Sequence, residues 1–284
     1  MLDLIVLTYN EEGNLPYCLE SVRGVVGNIF VVDSGSTDKT LDIARSFGAY
    51  VTFHKFTNQA EQFNWSLNNL PLRSEWILRL DADEYVLPEL AVELRLSIPA
   101  LGPDVAGLYI KRRMVFMGRW IRYGGYYPTW LLRLFRRGHA RSELSEMDEH
   151  IVVHRGRTGR LQNDFVDHNR KGLSEWCVKH ERYASRQARV IAGSHTTTDP
   201  AGLQPRLFGN QSERKRWLKN NVYRRAPLFS RALFYFCYRY FVRLGILDGR
   251  EGLIFHYLHA GWYPFYVDAM IYEMRKNERK SCAP

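Results

Sequence analysis

The sequence is poor in cysteine. Cys18, Cys177, Cys237 and Cys282 lie far apart and form no Cys-x-x-Cys pair. That excludes a disulfide-stapled scaffold and a cysteine-based zinc site, and it suits a reducing compartment. Internal repeats and low-complexity tracts are also missing, which excludes solenoids and disordered arrays. No secretory leader is visible: Met1 runs straight into "LDLIVLTYN", which has no basic stretch before it and reads as a core strand. The long aromatic stretch Leu228 to Leu247 is interrupted by Arg231, Arg239 and Arg243. A spanning helix needs about 20 mainly apolar residues, and charge at bilayer depth is costly, so this stretch reads as non-spanning.

The 284 residues, 45% hydrophobic, suffice for one large domain or for a domain with an appendage. The net charge of +10 is concentrated late: residues 206 to 225 hold seven Lys or Arg against one acid, Glu213. Such an excess suits nucleic acid, an anionic membrane or a phosphorylated substrate.

Apolar runs alternate with helical spacing over the first hundred residues. "LDLIVL", "NIFVVD", "YVTF" and "WILRLD" read as strands; the segments around Leu15, Leu19 and Val22, "TLDIARSFG", "AEQFNWSLNNL" and "LPELAVELRLS" read as helices. This order predicts an α/β fold, a mostly parallel central sheet flanked by helices. In such sheets ligands bind beyond the carboxyl ends of the strands. Three of those ends carry polar groups: Asn10 with Glu11, Asp33 with Ser34, and Asp81 with Asp83 and Glu84. Clustered carboxylates repel and raise one another's pKa, so their convergence implies a cation or a donor-rich ligand. Singly, each is also an ordinary cap or turn residue, and Asp83 and Glu84 also suit a helix N-terminus. Beyond residue 105, "VAGLYIKRRMVFMGRWIR", "TWLLRLFRR" and "EHIVVHRG" alternate as antiparallel or edge strands do. The chain turns helical from Leu173, and residues 196 to 212 read as a loop.

At "TYNEE", "VVDSGSTDKT" and "LRLDADE" the chain resembles the family 2 glycosyltransferases, which have the Rossmann-like GT-A fold. The resemblance covers about residues 2 to 170. "GRWIRYGGYYPTWLLRLFRR" and "DHNRKGLSEWCVKHERYA" look like a subgroup that builds lipopolysaccharide core or other bacterial surface glycans. The resemblance implies a nucleotide pocket lined by Thr8, Tyr9, Asn10, Glu11 and Gln62, with Asp33 accepting a hydrogen bond from uracil and Asp81 near the nucleoside. It implies that Asp83 holds a divalent metal, Mn²⁺ or Mg²⁺, with His168 as a further ligand. It implies an acceptor base in "SEMDEHIVVH", Glu149 or its neighbour Asp148. Asn64 resembles a further polar position of the helix that closes on the nucleotide, or lies on an exposed face. Among the crowded aromatics of residues 116 to 135, Tyr127 and Trp130 suit a sugar face, and Arg133 or Arg136 an acceptor phosphate; the same residues also suit a sheet core. The segments expected are 1–100 for the nucleotide sugar, 101–212 for acceptor and catalysis, and 213–284 as a basic, aromatic helical extension.

On a helix Arg231, Arg239 and Arg243 fall within an arc of roughly 120°, a basic stripe beside an aromatic face. Together with a second segment that Pro264 would kink, this suits a helix lying in an anionic membrane interface, or alternatively core helices or a dimer contact. The expected activity is inverting, metal-dependent transfer of a sugar from a UDP-sugar to a glycolipid or lipid-linked saccharide, by a cytoplasmic protein at the inner face of the cytoplasmic membrane. A polyprenyl phosphate acceptor is the close variant. A single-stranded nucleic-acid binder is the rival class, and the acidic strand ends argue against a nucleic-acid partner.

Overall fold

The strand β1 (Leu2–Thr8) has no polar face: Leu2, Leu4, Ile5 and Val6 are all buried. Only a strand covered by helices on both sides accommodates that pattern. The computed structural model describes residues 2–144, 149–193, 199 and 202–281. Asp148, the alternative base, lies outside the described residues.

The elements that follow β1 are α1 (Leu15–Ser21), β2 (Asn28–Asp33), α2 (Thr40–Ser46), β3 (Tyr50–Phe53), α3 (Gln59–Asn69), β4 (Trp76–Asp81), β5 (Glu84–Val86) and α4 (Pro88–Ser97). Then come β6 (Val105–Phe116), β7 (Arg119–Trp120), β8 (Thr129–Arg136), β9 (Ala140–Ser142), β10 (Ile151–Val153) and β11 (Arg157–Asp167). The sheet runs β3-β2-β1-β4-β8-β6-β11-β5. The pairings among β3, β2, β1 and β4 are parallel, as is β6 with β11; β8 and β5 run against their neighbours. Alternation along the strands feeds two cores. Leu4, Val6, Leu78 and Leu80 pack with Leu19 of α1 and Leu90 of α4, while Ile5, Val32 and Ile77 pack with Phe63 of α3. Expected α/β architecture and antiparallel additions are both present.

Two compact units emerge. The first comprises residues up to 115, 128–144 and 149–170. Both expected halves, 1–100 and 101–212, contribute to it, because β6, β8 and β11 extend the same sheet. The second holds residues 116–127 and the chain from 171 on. Its helices are α5 (Gly172–Ile191), α6 (Gln211–Asn221), α7 (Ser230–Cys237), α8 (Gly249–His256) and α9 (Tyr263–Ser281). Ala184 and Ala188 of α5 let it approach Val267 and Ile271 of α9 closely. The helix α7 continues into a π-helical turn at Tyr238–Val242, and α8 reaches α9 through another at Tyr257–Trp262. Pro264 follows that second turn at the start of α9, so the irregularity precedes the proline.

The basic stripe expected on residues 228–247 is not formed. Arg231 is 3% exposed and ion-pairs inside the unit with Asp268, itself wholly buried. Arg239 is buried 3.7 Å above the Tyr126 ring and donates to the Tyr235 hydroxyl. A buried guanidinium needs such partners, and Asp268 and the tyrosine rings turn these two inward. Among the described residues no helix is long and apolar enough to cross a membrane.

Candidate active site

Sheet register gathers the strand ends. Thr8 pairs with Asp33 and Leu7 with Asp81, so β1, β2 and β4 finish in one row. The loops beyond β1 and β2 are sewn together. Asn10, in the left-handed region that asparagine tolerates, donates its N–H to Ser36 and accepts from the Thr37 N–H at 2.8 Å. The Glu11 N–H donates to the Thr40 hydroxyl at 2.7 Å. Tyr9 stays open to solvent, 54% exposed. Gln62 of α3 is buried and donates to Ser34 at 2.8 Å, which ties that helix to the β2 loop.

Asp33 anchors the turn after β2. One carboxylate oxygen accepts the N–H groups of Gly35 and Ser36, and the other accepts the hydroxyls of Ser36 and Thr8, at 2% exposure.

Two buried cations lie beneath the acids of β4 and β5. Arg133 of β8 reaches Asp81 at 3.1 Å and also pairs with Glu84; Arg79 reaches Asp81 at 3.3 Å. Gln59 of α3 donates to Asp81 as well, at 3.1 Å. Burial pushes the Glu84 carboxyl up to about 8, against the pull of Arg133 and with the push of Asp81. Burial also works against the Arg133 charge, but Glu84 and Asp81 outweigh it and hold the guanidinium above its usual value. The expectation that Arg133 holds an acceptor phosphate is therefore corrected: the side chain is buried and its Nη2 donates to the protein's own carboxylates, Asp81 and Glu84. Arg136 is corrected too. It pairs opposite Trp76 at the amino end of β4, away from the row of acids, and donates to the carbonyls of Val105 and Gly102. Arg79 was missed by sequence reasoning, though a lone charge inside the apolar run "WILRLD" was the available signal.

Beyond this floor, β5 pairs antiparallel with β11, Glu84 opposite Asp167. The ladder continues one step: the His168 N–H donates to the Asp83 carbonyl at 2.9 Å. Two residues 85 positions apart in sequence thus stand side by side. Asn169 donates to the Asp83 carboxylate at 3.1 Å. Burial and Arg170 hold the His168 imidazole below its usual value, with Asp83 pulling the other way. A carboxylate oxygen and an imidazole nitrogen are ligand types that suit a divalent ion. Among the described residues no third His, Cys, Asp or Glu joins them.

Glu149 is half-buried and acts electrostatically on Arg79, the cation that also touches Asp81. The segment before it is clamped. Asn64 of α3 exchanges two hydrogen bonds with the Ser142 backbone, 2.8 and 2.9 Å, and buried Glu143 accepts from both the backbone and the ring of His150. Asn64 thus lies against β9, not on an exposed helix face. Trp130 of β8 lies under Arg160, 4.9 Å away. Tyr127 belongs to the second unit, where its ring meets Trp120 edge-on at 5.1 Å.

The family described as Glycosyl transferase family 2 matches residues 3–169. The lipopolysaccharide core biosynthesis glycosyltransferase LpsC of Rhizobium meliloti (strain 1021) is 29% identical over 218 residues, 73% of this chain and 75% of LpsC. An uncharacterized glycosyltransferase of Rickettsia bellii (strain RML369-C) is 33% identical over 103 residues, 36% of this chain and 34% of the relative. Among solved structures, S. aureus TarS 1–349 in complex with UDP-GlcNAc superposes with a TM-score of 0.47 at 16% identity, covering 97% of this chain and 92% of the other.

Proposed function

The chain belongs to glycosyl transferase family 2, and on that premise we propose that it moves a sugar from a UDP-sugar to a lipid-linked or lipopolysaccharide-core saccharide, inverting the anomeric carbon. The observation that carries the reading is the pairing of Asp83 with His168 at the sheet edge where β1, β2 and β4 end. The interlocked loops after β1 and β2 present Tyr9, Asn10 and Glu11 to the nucleoside. Thr8, Asp33 and Gln62 hold those loops in shape, and Asp81 stands next to the nucleoside on its arginine floor. Asp83 and His168 would hold a divalent ion, Mn²⁺ or Mg²⁺, which would supply positive charge to the departing diphosphate. Glu149 takes the proton of the acceptor hydroxyl. The acceptor oxygen forms its bond to the anomeric carbon from the face opposite the bond to the diphosphate, which breaks with its electron pair leaving on UDP. Trp130 offers a ring face for the acceptor sugar. That the Rhizobium relative is a lipopolysaccharide core biosynthesis glycosyltransferase supports the acceptor class, and such an acceptor lies at the inner face of the cytoplasmic membrane, where the protein would work peripherally.

The test is a thermal-shift screen of nucleotide sugars with and without EDTA, using the full chain. One UDP-sugar is expected to stabilise the protein only when metal is present, and Asp83→Asn is expected to keep the native melting temperature while losing that stabilisation and turnover. A screen in which no uridine nucleotide shifts melting would sink the assignment. Turnover that survives Glu149→Gln, with Asp148 also changed to Asn, would point to an already anionic acceptor such as a polyprenyl phosphate.

A further inference from the structure

The second unit carries an apolar face for which the transferase reading has no use. On α7 and its π-helical continuation, Leu233, Phe234, Phe241 and Val242 are 55 to 69% exposed. Phe234 and Phe241, seven residues apart, lie about two turns apart on one side of the helix, with Leu233 and Val242 flanking them. On α8, Leu253, Ile254 and Tyr257 form a second exposed stripe. The two adjoin, since the Phe236 ring lies 6.0 Å from that of Tyr257, and the turn between them exposes Leu244, Ile246 and Leu247. Soluble monomers rarely expose contiguous apolar patches of this kind without a use for them.

Charge around the face has one sign. Residues 231–272 contain three acids: Asp248 and Asp268 are buried, and half-buried Glu251 lies 3.9 Å from Arg119. Arg243 and Arg250 are exposed at its margin. On a larger scale, residues 171–284 hold 20 Lys or Arg and 9 Asp or Glu, a net of +11, leaving a net of −1 for residues 1–170 out of the chain's +10.

We infer that this face, formed by α7, the turn after it and α8, docks in the interface of an anionic bilayer. The inference deepens the reading of a lipid-borne acceptor and rests on it only for biological purpose. An isologous contact between two copies sets a patch against itself, so Arg243 and Arg250 would meet like charge with no open carboxylate to answer them. Anionic headgroups answer both arginines while the aromatic and aliphatic side chains enter the acyl boundary. Arg231 and Arg239, turned inward, leave the stripe free of cations at its centre.

The experiment is vesicle flotation of the purified full chain, without donor or acceptor. Vesicles containing phosphatidylglycerol are expected to carry the protein, and vesicles of phosphatidylcholine alone to carry far less. Phe234→Ser combined with Phe241→Ser should lower partition about tenfold or more, given the apolar area removed from the interface. Phe208→Ser, at a fully open position outside the face (97% exposed), should leave it unchanged. Unchanged metal-dependent UDP binding would show that the double variant is folded. The inference fails if the native protein ignores anionic vesicles, or if the double variant floats as well as the native chain. It also fails if light scattering without lipid finds a dimer that the double variant abolishes. Loss of the transferase assignment would leave the flotation result standing, because that assay contains no nucleotide.

Discussion

Arg133→Met tests why three carboxylates can share one sheet edge. The guanidinium is buried between Asp81, 3.1 Å away, and Glu84, which is 2% exposed. Methionine keeps the approximate length and the apolar contact with Phe165 but removes the charge. Asp81 keeps Arg79 at 3.3 Å and Gln59 at 3.1 Å, so it remains partnered. Glu84 keeps the Asp81 N–H at 3.0 Å and loses its buried cation. The Glu84 carboxyl, already pushed up to about 8, takes up a proton rather than stay charged, so the cost is that of the lost charge-assisted hydrogen bonds, about 1.5–3 kcal/mol. Against a total stability of about 5–15 kcal/mol, that is a large shift in urea midpoint. Adding Glu84→Gln removes a carboxyl that the fold must hold protonated while the unfolded chain ionises it, so the double variant should recover at least half of the loss. The assay is urea unfolding followed by far-UV circular dichroism for the native chain, both single variants and the double. A cost below about 1 kcal/mol for Arg133→Met, or a double variant no more stable than the single, would refute the idea that the arginine floor lets these acids converge.

Asn64→Ala orphans the N–H of Ser142, a fully buried residue whose C=O keeps a hydrogen bond from Arg141 at 3.3 Å; at about 1–3 kcal/mol per unmatched group it should cost about 1–3 kcal/mol. Because the same strand leads to Glu149, kcat should fall more than donor KM rises, and an equal change in both would count against a positioning role. Burial holds the His180 imidazole at about 4, below its ordinary 6.5. The unfolded chain therefore takes up the proton first, and stability present above pH 6.5 is lost as pH falls toward 4, by at most about 3 kcal/mol. His180→Gln should flatten that part of the stability profile in urea titrations at pH 7 and pH 5; identical slopes for native and variant would refute it.

The strand ends were legible because each of "LDLIVL", "NIFVVD" and "WILRLD" runs apolar until it breaks into polar loop chemistry, and parallel pairing does the rest. The partnership of Asp83 with His168 was legible only through family resemblance, since nothing local announces that β5, three residues long, pairs with β11 some eighty positions later. The arginines were misassigned for one physical reason. A cation in an alternating strand or on one arc of a helix normally faces water, and hydrophobic periodicity reports which side differs without reporting which side is covered. In β8 both sides are covered, so Arg133 turns toward Glu84 inside the protein. In α7 both sides of the helix are apolar, and the deciding residue, Asp268, comes from another helix 37 positions away. Arg231 is turned inward by buried Asp268 and Arg239 by the Tyr126 ring and the Tyr235 hydroxyl, so the expected stripe is broken and only Arg243 of the three stays exposed.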